Sequence, residues 1–107
     1  MADVATRKLL ENDEVIVWEL LLEPGETTGA HTHEHDYIIH VIEGSTLLAL
    51  DGGGNRLAEV KLSDGETHHF KVRDGVATAA GGLATPATHE ARNIGPGRYR
   101  EVMVEIK

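Results

Sequence analysis

Residues 24–44 read PGETTGAHTHEHDYIIHVIEG and contain four of the seven histidines of this 107-residue chain. His31 and His33 are two residues apart, so on a strand both side chains leave from the same face and can share one ion. A helix would separate them, and the glycines and threonines of this stretch also disfavour a helix. We therefore interpret it as a loop that enters a strand and offers two metal ligands. Since two histidines alone hold a metal weakly, a third ligand is needed, and His89 is the natural candidate.

Short strand-like runs separated by turn residues make up the rest of the chain. The runs are rich in β-branched and aliphatic residues, and most of them end at Gly, Asp, Asn or Pro. The predicted strands are Val15–Leu22, Tyr37–Ile42, Ser45–Asp51, Arg56–Leu62, Thr67–Val72, Val76–Ala80, Leu83–Thr85, Thr88–Asn93 and Tyr99–Lys107. Eight or nine strands at this spacing predict an all-β fold, an antiparallel sandwich or barrel.

The two ends of the chain complete this prediction. Residues 1–14 are predicted as an N-terminal edge segment and residues 15–107 as the barrel, so we expect a single domain over residues 1–107. The last predicted strand alternates between two faces. One face carries Val102, Val104 and Ile106, and the other carries Glu101, Met103 and Glu105.

The composition excludes several classes of protein. There are 18 acidic and 10 basic side chains, a net charge of −8, so the surface would repel the phosphates of a nucleic acid. The absence of cysteine excludes disulfides, thiolate nucleophiles and iron–sulfur clusters. No apolar run approaches the roughly 20 residues of a membrane span, and the N-terminus lacks the pattern of a secretory signal. We expect a cytoplasmic protein without nucleic-acid or membrane partners.

The histidine stretch resembles the cupins, a family of small β-barrel or jelly-roll proteins. The residues that match the first cupin motif are Gly25, His31, His33 and Gly44. His89 and Asn93, four positions apart, resemble the end of the second motif. The resemblance runs roughly from Val15 to Ile106 and implies an antiparallel jelly-roll barrel. The string HTHEHDY is similar to a subgroup of small bacterial cupins that includes one associated with β-alanine degradation.

One departure from the cupin pattern concerns the metal ligands. Seven residues before Gly44 the family usually carries a Glu that completes a site of three His and one Glu, but this chain has Tyr37 there. Asp36 is one position off, and such a shift on a strand turns a side chain to the opposite face. The resemblance therefore implies a three-His site. Its ligands would be His31, His33 and His89, with Tyr37 as a hydroxyl beside them or a distant fourth ligand.

The second motif also departs from the pattern. The Pro-x-Gly that usually precedes its histidine is missing, with Ala84 and Pro86 at those places. Gly65 lies further from His89 than usual, and an extra hairpin around residues 73–75 would account for the insertion. The remaining histidines are predicted to lie outside the site. His35 is expected at the surface and His40 on the outer face, while His68 and His69 point to opposite faces.

Such a site implies one of two kinds of enzyme. A divalent ion on three neutral imidazoles keeps its full charge and has open positions, so it can act as a Lewis acid, activate water or bind dioxygen. The resemblance implies a non-haem iron dioxygenase, slightly favoured, or a lyase or isomerase with Tyr37 as acid or base. The substrate would be a small metabolite in an apolar pocket. The metal ion would be iron, zinc, nickel or manganese, since imidazole ligands do not select one of them.

Two alternatives to catalysis stay open at the level of sequence. The first is a non-enzymatic cupin module that binds a metal or ligand, and the second is a structural cupin that has lost its metal. The exposed sheet edges of small cupins also lead us to expect a homodimer. One face of Val15–Leu22 is the predicted interface, and its side chains are Ile16, Trp18, Leu20 and Leu22.

Overall fold

A computed structural model describes residues 2–107, which form eleven strands and no helix. The strands are β1 (Arg7–Glu11), β2 (Val15–Leu22), β3 (His31–Thr32), β4 (Asp36–Glu43), β5 (Ser45–Asp51), β6 (Arg56–Leu62), β7 (Thr67–Arg73), β8 (Val76–Thr78), β9 (Ala84–Pro86), β10 (Thr88–Asn93) and β11 (Tyr99–Ile106). The predicted all-β fold is confirmed. Over the described range there is, accordingly, no helix that could cross a membrane.

The strands form two antiparallel sheets. The large sheet has the order β1-β2-β11-β4-β7-β8-β9, and the small sheet has the order β3-β10-β5-β6. Sequence neighbours therefore often belong to different sheets, as in a jelly roll, and β3 pairs with β10 more than fifty residues away. The strand β1, which lies within the predicted edge segment, is at one edge of the large sheet.

The predicted extra hairpin joins β7 to β8. Arg73 pairs with Val76 across a two-residue turn, and both turn residues, Asp74 and Gly75, have positive φ angles of 53° and 76°. Asp-Gly suits such a turn because both residue types tolerate the left-handed conformation and its twist matches that of the flanking strands. After the hairpin, residues 79–83 connect β8 to β9, which ends shortly before His89.

The core lies between the two sheets, and the residues that form it contradict one prediction. Trp18, Leu20 and Leu22 of β2 are 4–8% exposed and belong to the buried cluster, and Ile16 packs against it. The prediction that this face is a dimer interface is therefore wrong. This face of β2 shares its buried cluster with Leu47 and Leu62 of the small sheet, so it closes the core of the chain itself. Each buried side chain there contributes about 1.5–3 kcal/mol.

Strand β11 has an unusual distribution of side chains. The predicted alternation is present, but the buried face is the one with the carboxylates: Tyr99, Glu101, Met103 and Glu105 are at most 4% exposed, whereas Val102 and Val104 are half-buried. The Glu105 carboxylate accepts a 2.6 Å hydrogen bond from the Trp18 indole N–H, which accounts for its burial. Glu101 is placed on the same inner face of the sheet.

Asn93, at the end of β10, ties the two sheets together. Its side-chain amide N–H groups donate to the carbonyls of Leu22 at 2.9 Å and Gly97 at 2.8 Å. Its amide oxygen accepts from the Ser45 hydroxyl at 2.7 Å and the Gly95 N–H at 3.1 Å. Asn93 is fully buried, so all four bonds lie in surroundings where an unpaired polar group is costly.

Candidate metal centre

Three histidines from two distant parts of the chain meet at the β3–β10 pair. His31 and His89 are direct partners across these strands, and the backbone N–H of His33 donates to the Ala87 carbonyl at 2.8 Å. One nitrogen from each of the three rings lies within 4.8 Å of the others. The structure thus brings together the three histidines that the sequence predicted as ligands.

The three rings are arranged so that their nitrogens can converge. The ring centroids are 4.7–4.9 Å apart, and the His31 ring is nearly perpendicular to the other two, at 81° to His33 and 83° to His89. The planes of His33 and His89 differ by 47°. Because an imidazole lone pair lies in the plane of its ring, rings that are tilted towards one another rather than stacked can direct their lone pairs to one point.

Backbone carbonyls select the tautomer of two of these histidines. The Nδ1–H of His31 donates to the Gly29 carbonyl at 2.9 Å, and the Nδ1–H of His89 donates to the Pro86 carbonyl at 2.6 Å. Each ring is therefore left with an Nε2 lone pair, the arrangement that metal-binding histidines usually show. The third ring differs, because His33 Nδ1 is buried and has no hydrogen-bond partner in residues 2–107.

Burial keeps all three rings neutral near pH 7. It lowers the pKa of His31, and it lowers that of His89 to about 4, helped by the neighbouring His31. The pKa of His33 falls to about 2, first through burial and then through the other two histidines. Three neutral imidazoles with free lone pairs fit a divalent cation, whose ligands must be deprotonated.

Tyr37 is next to this cluster, on the inner face of β4. Its ring stacks on His33 with a centroid distance of 4.1 Å and on Phe70 with a distance of 4.9 Å. Burial, with smaller effects of Glu101 and Glu105, raises the pKa of the Tyr37 phenol. The group is therefore a neutral hydroxyl, and its visible role is to orient the His33 ring.

Asp36 and the other four histidines do not join the cluster. The Asp36 carboxylate accepts hydrogen bonds from Arg73 and from the Val72 N–H, each at 2.8 Å, so it faces away from the cluster as expected from its position. His40 is exposed and bonds to Thr67 at 2.7 Å. Neither Asp36 nor His40 belongs to the three-His group, and the remaining histidines, His35, His68 and His69, do not belong to it either.

The histidine cluster forms part of the wall of a cavity between the two sheets, with a volume of about 150 Å³. Aliphatic and aromatic side chains from both sheets form most of the remaining wall. Representative lining residues are Leu20, Ile39, Leu47, Val60, Phe70 and Met103. The interior is therefore apolar, with polar groups at few places, as in small-molecule sites.

Glu101 is a wall residue that sequence reasoning missed. Acidic side chains ordinarily lie at the surface, and most of those in this chain are exposed. The available signal was the parity of the last strand, where Glu101 shares a face with Met103 and alternates with valines. That pattern indicates two faces, but which one is inside depends on the other sheet.

Known structures with the same fold identify the architecture. A cupin domain from Bordetella pertussis superimposes over 94% of this chain and 90% of its own, with a TM-score of 0.70 and 23% identity. The chain has the cupin fold. A cupin-superfamily sugar phosphate isomerase from Silicibacter pomeroyi is similar over 89% of this chain and 52% of its own, with a TM-score of 0.55 and 22% identity.

Two further comparisons concern individual proteins. The polyketide cyclase RemF from Streptomyces resistomycificus matches 94% of this chain and 62% of its own, with a TM-score of 0.58 and 23% identity. The β-alanine degradation protein BauB from Pseudomonas aeruginosa is 43% identical over 49 residues, which are 46% of this chain and 52% of that protein. The match thus spans about half of this curated relative. None of the protein-family models matches the sequence.

Proposed function

We propose that this cupin holds one divalent metal ion through His31, His33 and His89 and acts on a small metabolite in the adjoining cavity. The observation that carries the proposal is the convergence of three neutral imidazoles, two of which have Nδ1 bonded to a backbone carbonyl and Nε2 free. A metal bound there would supply Lewis acidity, since three neutral ligands leave the charge of the ion uncompensated.

The residues around the cluster support a role in binding and orienting a small molecule. The apolar wall excludes water from a substrate, which strengthens polar interactions at the histidines. Tyr37 lies against His33, so its neutral hydroxyl is the group that we propose to donate a hydrogen bond or proton to a substrate at this end of the cavity. Tyr37 is thus the proposed catalytic residue, next to the three proposed metal ligands.

We propose metal-dependent enzymatic chemistry of the dioxygenase or the lyase and isomerase type. Among the similar proteins, one is named as a sugar phosphate isomerase, one as a polyketide cyclase and one as a β-alanine degradation protein. Iron in the purified protein would direct assays to oxygen consumption, while zinc, nickel or manganese would direct them to isomerase and lyase screens. The cytoplasmic location and the homodimer that we expect from the sequence remain part of the proposal.

Elemental analysis of the full chain, purified without tag or chelator, tests the metal site. We expect about one equivalent of metal in the wild type and nearly none in the His31→Ala or His89→Ala protein, with unchanged strand content by circular dichroism. His40→Ala is the matched control, because His40 is exposed and outside the cluster; it should keep the metal. A wild type that stays metal-free after reconstitution, or a His89→Ala protein with full metal content, contradicts the assignment.

A further inference from the structure

A second polar group, which is not part of the three-His group, lines the cavity. Glu101 is 4% exposed, and its strand neighbours on the two sides are Leu20 of β2 and Val41 of β4. Val41 is four residues along β4 from Tyr37, which corresponds to about 13 Å of extended backbone. Glu101 and Tyr37 are thus offset along the strands, although the Glu101 carboxyl remains close enough to contribute to the raised pKa of the Tyr37 phenol.

The Glu101 carboxylate is only half satisfied. Its Oε1 accepts a 2.7 Å hydrogen bond from the Tyr99 hydroxyl, whereas its Oε2 is buried without a hydrogen-bond partner in the described part of the chain. Other buried carboxylates of the large sheet differ in this respect. Glu105 is bonded to the Trp18 indole, and Glu19 is paired with two arginines, Arg7 and Arg100.

An unpaired carboxylate oxygen in an apolar wall is destabilising, so it calls for an explanation other than packing. The burial of Glu101 raises its pKa to about 7, and the bond from Tyr99 offsets only part of this effect. A glutamine at this position would keep the bond from Tyr99 without burying a carboxylate. Because Glu101 is among the residues that line the cavity, a bound molecule that reaches the carboxylate can supply the missing hydrogen bond once the carboxyl is ionised, above a pH of about 7.

We propose that Glu101 is a second ligand anchor of the cavity, which accepts a hydrogen bond from a hydroxyl or N–H group of a small, mainly apolar molecule. Tyr99 is a positioning residue, because its hydroxyl holds Oε1 and so determines the direction of Oε2. This anchor differs in its chemistry from the proposed metal centre, because it selects ligands by a donor group and not by a metal ion.

Two ring compounds of nearly equal shape provide the probes. A cavity of about 150 Å³ is large enough for a ring of the size of benzene. Pyrrole carries an N–H donor and no good acceptor, whereas furan has a weak acceptor and no donor. We expect wild-type protein to bind pyrrole about tenfold more tightly than furan in a titration followed by two-dimensional NMR at about pH 9, where the Glu101 carboxyl is ionised. The reason is that a hydrogen bond to the carboxylate is lost with furan.

Glu101→Gln is the decisive variant. The glutamine oxygen still accepts the bond from Tyr99, but an NH₂ donor replaces the free oxygen, so the preference for pyrrole should vanish or reverse. Glu105→Gln is the matched control, since Glu105 is on the same buried face but is bonded to Trp18; its pyrrole preference should stay at the wild-type value. Dispersed NMR spectra establish that each variant is folded.

The outcomes separate this inference from the proposed metal centre. The titrations are run on the chain as purified and again after treatment with chelator, and the preference for pyrrole should be the same in both. Equal binding of the two compounds by the wild type, binding of neither, or a preference that persists in Glu101→Gln would overturn the anchor. Metal content does not enter any of these readouts, so the two proposals fail or hold separately.

Discussion

The stacking of Tyr37 between His33 and Phe70 suggests a division of labour between its ring and its hydroxyl. The ring orients the imidazole of a proposed ligand, and residues that orient ligands typically affect metal affinity by 10–100-fold. Tyr37→Phe keeps the ring, so we expect wild-type affinity for zinc, whereas Tyr37→Ala should weaken it at least tenfold. Competition with a zinc indicator measures both. Equal affinities in the two variants would contradict the role of the ring.

The buried carboxyl of Glu101 should be visible in the pH dependence of stability. Its pKa of about 7 in the folded state lies above the ordinary value of 4.5. Between these two pH values the Glu101 carboxyl is therefore protonated in the folded state and ionised in the unfolded state. The free energy of unfolding therefore falls as pH rises from about 4.5 to about 7, by an amount on the order of 3 kcal/mol, and levels off above that window.

Glu101→Gln isolates this effect, because a glutamine is neutral at every pH. The variant should gain stability relative to the wild type between pH 4.5 and 7, and the contributions of the histidines cancel in the difference between the two proteins. Urea denaturation at a series of pH values measures the gain. If the free energy of unfolding depended on pH in the same way in the two proteins, Glu101 would not titrate in this range.

At the scale of elements, Asn93 is the link between β10 of the small sheet and β2 of the large one. The side chain makes four hydrogen bonds, and its removal leaves buried carbonyls without donors. We expect Asn93→Ala to lower the free energy of unfolding by about 3 kcal/mol and Ser45→Ala, which removes one of the four bonds, by about 1 kcal/mol. Urea denaturation distinguishes them, and similar costs for both variants would refute the linking role.

The element scale also shows which strands could be predicted. Strands such as β2, β5, β6 and β10 have the predicted bounds, because each is a run of strand-forming residues ended by turn residues. Strand β3 has only two residues, since His33 and the residues after it turn towards β4. The same-face placement of His31 and His33 was predicted from a longer strand, and the convergence of their side chains holds although His33 lies just beyond it.

At the scale of the whole molecule, the pairing of β3 with β10 is the feature on which the candidate site depends. It joins residues more than fifty positions apart, and local sequence patterns contain no information on such pairings. The packing of the small sheet against β2 likewise buries the face that was predicted as an interface. A homodimer of this chain, which stays a prediction, cannot use the buried face of Trp18, Leu20 and Leu22.

The sequence by itself determined the strand pattern, the Asp-Gly hairpin and the His31–His33 pair, because periodicity, turn chemistry and residue spacing are local properties. The third proposed ligand, His89, was named from the need for a third group and from the resemblance to the cupins, and only the pairing of β3 with β10 brings it to the other two. Only the tertiary structure decided which face of each strand is inside. In β11 it buried Glu101 and Glu105 and left Val102 and Val104 half-buried, since the Trp18 indole and a cavity lie on that side. Burial depends on what the opposite sheet places against a residue, and for this reason the anchor at Glu101 became visible only in three dimensions.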